Sequence, residues 1–171
     1  MANVVHTGPL ILGNDPRNMS KDCLDIIGNE QIIALNQDPN VQRATLVHQW
    51  PDPQPFGPNT TWVPPQAPPP PEGTPTPPHG PAGTMNVSIT LQVWAKPLSN
   101  GDIGVVAFNR NTTETVVANV TWGMLGLKDG QLAAVRDLWL NETVVEQASS
   151  HYAAAVAPMD SLALRISVAA Q

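Results

Sequence analysis

Proline is the residue that most limits what this chain can become. Fourteen of its 19 prolines fall between Pro51 and Gly83, and proline neither donates to a sheet ladder nor continues a helix. Regular structure is therefore confined to the residues on either side. Pro68 to Pro71 is expected to adopt polyproline II, solvated and semi-stiff. Such an excursion costs a fold little, because loop-closure entropy grows slowly with length. We read residues 51–83 as a disordered insertion between two strands, in preference to a partner-binding or O-glycosylated segment.

Beyond the prolines the sequence has a period of two. Val87, Ile89, Leu91 and Val93 alternate with Ser88, Thr90 and Gln92, as a half-buried strand requires. Ser99-Asn100-Gly101-Asp102 is a hairpin signal, from which Ile103 to Asn109 returns. Val116, Ala118, Val120 and Trp122 alternate with Val117, Asn119 and Thr121, which puts Asn119 on an exposed face. Residues 132–140, 144–147 and 152–156 are further expected strands, and Leu162, Leu164, Ile166 and Val168 close the pattern. With Ala44 to Trp50 ahead of the prolines, seven or eight short strands predict an antiparallel β-sandwich of Greek-key type over residues 42–171. Trp94, Trp122 and Trp139 read as strand residues packed in or between its sheets.

Residues 9–39 follow another rhythm. Leu10-Ile11-Leu12 suits one buried strand, which Gly13-Asn14-Asp15-Pro16 ends with strong turn formers. Ser20 caps a predicted helix with Asp22 and Asp25 in its first turn, where the helix dipole favours negative charge. Leu24, Ile26 and Ile27 give it an apolar side and Gly28 a stop. Asn29 caps a second short helix that buries Ile32, Ile33 and Leu35 and ends at Asn36-Gln37-Asp38-Pro39. Strand, polar turn and two helical segments make one α/β unit over residues 1–41.

These segments carry a resemblance. PLILGND-R-MS and IIALNQDP, within residues 9–39, resemble the last β/α unit of the catalytic barrel in glycoside hydrolase family 27, the α-galactosidases and α-N-acetylgalactosaminidases. VWAKPLSNGDIGVVAFNR (Val93 to Arg110) and VRDLW (Val135 to Trp139) resemble signature strands of that family's C-terminal β-domain. The resemblance implies the last strand and helix of a truncated (β/α)8 barrel followed by the sandwich. It also implies that both catalytic aspartates of this retaining family, and its galactose-binding carboxylates, lie upstream of these residues. No catalytic, substrate-binding or metal-binding residue is carried over, and no cofactor is implied. The implied partners are α-galactoside substrates, reached through the parent enzyme, and the missing barrel portion.

Composition excludes several other classes. A full barrel needs about 250 residues, and this chain has 171. The net charge is −6, with no Lys or Arg between Arg43 and Lys96, whereas a nucleic-acid partner needs a basic patch. No apolar run approaches the roughly 18–20 residues of a membrane span. The single cysteine, Cys23, excludes an internal disulfide and has no companions at metal-ligand spacing. His6, His48, His79 and His151 share no common spacing.

Asn-X-Ser/Thr occurs at Asn18, Asn59, Asn86, Asn111, Asn119 and Asn141, where about one or two would arise by chance. Six acceptor triplets point to a secreted, lysosomal or vacuolar glycoprotein. The first residues lack the basic and apolar regions of a signal peptide, so the expectation is a fragment, or a reading frame begun too late. Asp15, at the end of the expected barrel strand, is the best-placed carboxylate because barrel chemistry sits at that face. An Asp before Pro is more often a turn former bonded to nearby backbone, and that reading is preferred. Retaining glycosidases need two carboxylates about 5–5.5 Å apart, and no such pair is apparent. The chain reads as an inactive C-terminal portion of an α-galactosidase-like hydrolase. The alternative is a non-catalytic sandwich that binds glycan or packs against a partner domain.

Overall fold

The structure, a computed structural model, describes Leu10, Gly13, residues 15–50 and residues 90–168. Most of the expected barrel strand, the whole proline-rich segment and residues 1–9 lie outside the described residues. Within them run two helices, α1 (Lys21–Ile27) and α2 (Glu30–Asn36), and eight strands. The strands are β1 (Thr45–Trp50), β2 (Leu91–Pro97), β3 (Ile103–Asn109), β4 (Val116–Thr121), β5 (Ala133–Asp137), β6 (Glu142–Ala148), β7 (His151–Val156) and β8 (Ser161–Val168). Six form one sheet in the order β1-β2-β3-β8-β5-β6, and β4 and β7 form a second. All the pairings are antiparallel. The fold is the mainly β, antiparallel sandwich that the alternation predicts.

The last strand is inserted between β3 and β5, so the chain changes sheets four times after β3. The main core lies between the two sheets. Leu91, Val93, Val105, Ala107, Leu164 and Ile166 of the large sheet meet Ala118, Val120 and Val156 of the small one. β3 and β8 are covered on their other face as well, by α2. Ile32 and Leu35 of that helix pack with Val106, Ala163, Leu98 and Leu138 in a second core, flanked by Trp94 and Trp139. Burial on both faces explains why Val105-Val106-Ala107 and Leu162-Ala163-Leu164 are continuous apolar runs rather than alternating ones.

Trp50 pairs with Leu91 across β1 and β2, and the Thr90 amide donates to the Trp50 carbonyl at 2.8 Å. The proline-rich residues thus connect two neighbouring strands. Two tryptophans fall outside the strands expected for them. Trp122 is not a strand residue but opens a 3-10 turn, Trp122–Leu125; its ring keeps the inward face that the alternation gives it, fully buried, with Nε1 donating to the Gln131 carbonyl at 2.7 Å. Trp139 follows β5, which stops at Asp137 because that carboxylate accepts the amides of Trp139 and Leu140 and closes a turn.

Candidate functional site

The signature residues of β2, β3 and β5 are the natural place to look for chemistry, and their side chains hold the fold together. Lys96 is fully buried and its Nζ donates to the Leu35 carbonyl, 3.1 Å away, at the end of α2. Ser99 gives its amide and hydroxyl to the Asp38 carboxylate, at 2.9 and 3.0 Å. Burial pushes the Asp38 carboxyl up, but amide bonds from Asn40 and Ser99, the Ser99 hydroxyl and nearby Lys96 outweigh it, so it sits below the usual range. Asn29, which caps α2 by accepting from the Gln31 and Ile32 amides, donates its own amide to the Leu138 carbonyl at 3.0 Å. Both ends of α2 are therefore tied to the sandwich.

Gly104 shows how close that contact is. A Cβ there would stand 2.7 Å from Leu35 Cδ2, well inside van der Waals contact, so any larger residue would force the Leu35 side chain or its helix to shift. Asn109, buried at the end of β3, donates to the carbonyls of Glu114, Val156 and Ala157. It also accepts the Asn111 amide. It ties the large sheet to the end of β7. Asp102 and Arg165 form an ion pair beside the β2–β3 hairpin.

The sequence-predicted positions are scattered. Asp15 is exposed, pairs with the Arg17 guanidinium and accepts its amide, and the guanidinium holds its carboxyl below the usual range. It caps the turn Pro16–Asn18, as the turn-former reading expects. Asp22 and Asp25 lie on exposed α1, but only Asp22 falls in its first turn, Asp25 standing one turn on from Lys21 and pairing with it; Asp160 accepts the Ser161 amide at the start of β8. Of the acceptor asparagines, Asn18, Asn119 and Asn141 are exposed and Asn111 is half-buried. Asn59 and Asn86 lie outside the described residues, as do His6 and His79. Among the described residues no group of three or more His, Cys, Asp or Glu could hold a metal ion, and no helix is long and apolar enough to cross a membrane.

Residues 88–166 match the family described as the Alpha galactosidase C-terminal beta sandwich domain. Alpha-galactosidase 3 of Arabidopsis thaliana is 32% identical over 149 residues, covering 86% of this chain and 26% of the relative. The chain belongs to glycoside hydrolase family 27. Its fold matches alpha-galactosidase I from Mortierella vinacea at a TM-score of 0.66 and 21% identity, over 96% of this chain and 34% of that one. It also matches a family 27 β-L-arabinopyranosidase from Geobacillus stearothermophilus at a TM-score of 0.65 and 18% identity, over 96% and 28%. This family 27 chain spans about a quarter of the length of the curated relatives it matches.

Lys96, Asn109 and Gly104 have roles that sequence reasoning missed. The signal for Lys96 was a lysine in the apolar strand Val-Trp-Ala-Lys-Pro-Leu, on the same side as Trp94. Nothing local marks Gly104, since its reason is Leu35 of α2, 69 residues (104 − 35) earlier in the chain.

Proposed function

We propose that this chain serves as the C-terminal, non-catalytic part of an α-galactosidase-type glycosidase and seats a (β/α)8 barrel that bears the catalytic carboxylates. The observation that carries the reading is the contrast along residues 21–36. α2 is fixed to the large sheet by Lys96, Asn29 and the Ile32 and Leu35 side chains. α1 just before it buries nothing and leaves Leu24 and Ile26 at 41% and 50% exposure. An apolar helix side held beside a finished core is what a missing neighbouring layer leaves behind. Substrates are α-galactosides reached through that barrel, and six acceptor triplets support passage through a secretory route to the exterior, lysosome or vacuole. The division at 41/42 would separate α2 from the sheet it packs on; we place the functional seam between α1 and α2 instead.

Incubating the purified 171-residue chain with an aryl α-galactoside tests the catalytic half of this reading. The expected outcome is no hydrolysis above the blank. Turnover that disappears in Asp15→Asn would overturn it and return Asp15 to a catalytic role.

A further inference from the structure

At the edge of the sandwich, an open cleft of about 380 Å³ lies beside β1 of the large sheet and β4 of the small one. Its walls include His48 and Trp50 of β1, Val117 and Asn119 of β4, and Met124. Its volume lies near the small end of the range for small-molecule sites, about 300–1,000 Å³. Trp50 is 56% exposed and Val117 62%, so the cleft leaves large apolar groups in water. Both flanking strands are edges among the described residues, since β1 pairs with β2 and β4 with β7 and neither has a second neighbour. Paired free edges beside exposed apolar side chains invite association with another chain unless something covers them.

The covering group is written into β4. Asn119 begins the acceptor triplet Asn119-Val120-Thr121. Ala118 and Val120 on either side are fully buried, so strand alternation turns the Asn119 side chain away from the inter-sheet core and into water, and Asn119 and Trp50 both line the cleft. We propose that an N-linked glycan on Asn119 lays its first sugar into this cleft, with the Trp50 indole as its stacking face. A pyranose presents an apolar face of C–H groups that suits a flat indole, and its polar rim stays in water. The attached chain is bulky and solubilising, and it shields both edges.

The modification is a group transfer from a lipid pyrophosphate-linked oligosaccharide. Asn119 Nδ2 forms a bond to the anomeric carbon of the donor's first sugar. The bond from that carbon to the pyrophosphate oxygen breaks, and its electron pair leaves with the lipid pyrophosphate. Nδ2 gives up one of its two protons to the transferase's base and keeps the other. The inference rests on the secretory passage proposed above.

The test is the full 171-residue chain secreted behind a cleavable leader from a eukaryotic host. Mass spectrometry is expected to find a glycan on Asn119, and NMR to find the N-acetyl methyl of its first sugar shifted upfield by the indole ring. That shift is expected to vanish in Trp50→Ala and in Trp50→Leu, the second variant keeping a bulky side chain in place. Thr121→Val, which keeps the β-branched shape, removes the glycan. A bare Asn119 overturns the inference. So does a glycan signal that neither Trp50 variant moves, because the cleft is then left to a second copy or a free sugar. Because the leader is supplied, these failures do not bear on secretory passage, which is read separately from whether Asn111 and Asn141 carry glycan in the native chain.

Discussion

α1 and α2 make an instructive pair. Each has seven residues, each starts on a side-chain cap, from Ser20 or Asn29, and each carries isoleucines and a leucine. α2 buries Ile32 to 5% and Leu35 to 3%, while every α1 side chain is at least partly in water. Caps and propensity form both helices, but short helices are marginal alone, and tertiary packing supplies most of their stability. What separates the two is the surface offered to them. α2 has β3 with Gly104 to approach, Lys96 for its last carbonyl and Leu138 for its cap. α1 has no such surface within the described residues.

Truncating a leucine in each helix gives the largest expected difference. Leu35→Ala removes a core side chain and is expected to cost about 2–5 kcal/mol, measured as the shift in the urea midpoint. Leu24→Ala is expected to stay within about 0.5 kcal/mol. Equal effects would erase the distinction between the helices.

Gly104→Val sharpens the same point from the sheet side. The new branches meet Leu35 at a site where even one added carbon stands at 2.7 Å, and overpacking a core costs about 1–3 kcal/mol. Pairing it with Leu35→Ala should recover part of the loss, since the clash partner is gone, and double-mutant analysis reads the coupling. Additive losses would mean that Gly104 matters for some reason other than α2.

Much of this comparison was legible in the chain, and the part that was not has a definite cause. Ser20, Gly28 and Asn29 mark helix ends through local hydrogen bonding, so reading them in order places both helices. The Ser99–Asp102 hairpin and the alternation around Asn119 are local as well. The docking of α2 depends on Lys96, 61 residues from Leu35, and on Leu138, 109 residues from Asn29, and no local pattern pairs them. The spacing of Trp122 puts its ring on the inward face, where it lies; that β4 ends at Thr121 and that Trp122 Nε1 meets the Gln131 carbonyl are invisible to periodicity. Asp15 was legible as a turn former, and it caps Pro16–Asn18, because Asx turns declare themselves locally. The contrast between a covered α2 and a bare α1 emerges only in the packing.

The smallest effect concerns pH and belongs to the loop after α2. The Asp38 carboxyl sits below its usual range in the folded chain, so its contribution is present above the unfolded value, about 3.9. It is lost as pH falls through the folded value. The stability gap between the natural chain and Asp38→Asn is therefore expected to be open near pH 6 and to narrow below about pH 4. A gap that is unchanged at low pH would mean that Asp38 holds Ser99 without its charge.

Amide hydrogen exchange on the 171-residue chain tests the central claim most directly, because it reads both helices in one sample. The amides of Ile33 and Gln37, bonded to Asn29 and Ile33, are expected to exchange only when the sandwich unfolds, at the rate of β3 and β8. Those of Leu24 and Gly28, bonded to Ser20 and Leu24, are expected to exchange through local fraying, orders of magnitude faster. If α2 exchanged as fast as α1, the helix would not belong to the sandwich, and the seam between them would not exist.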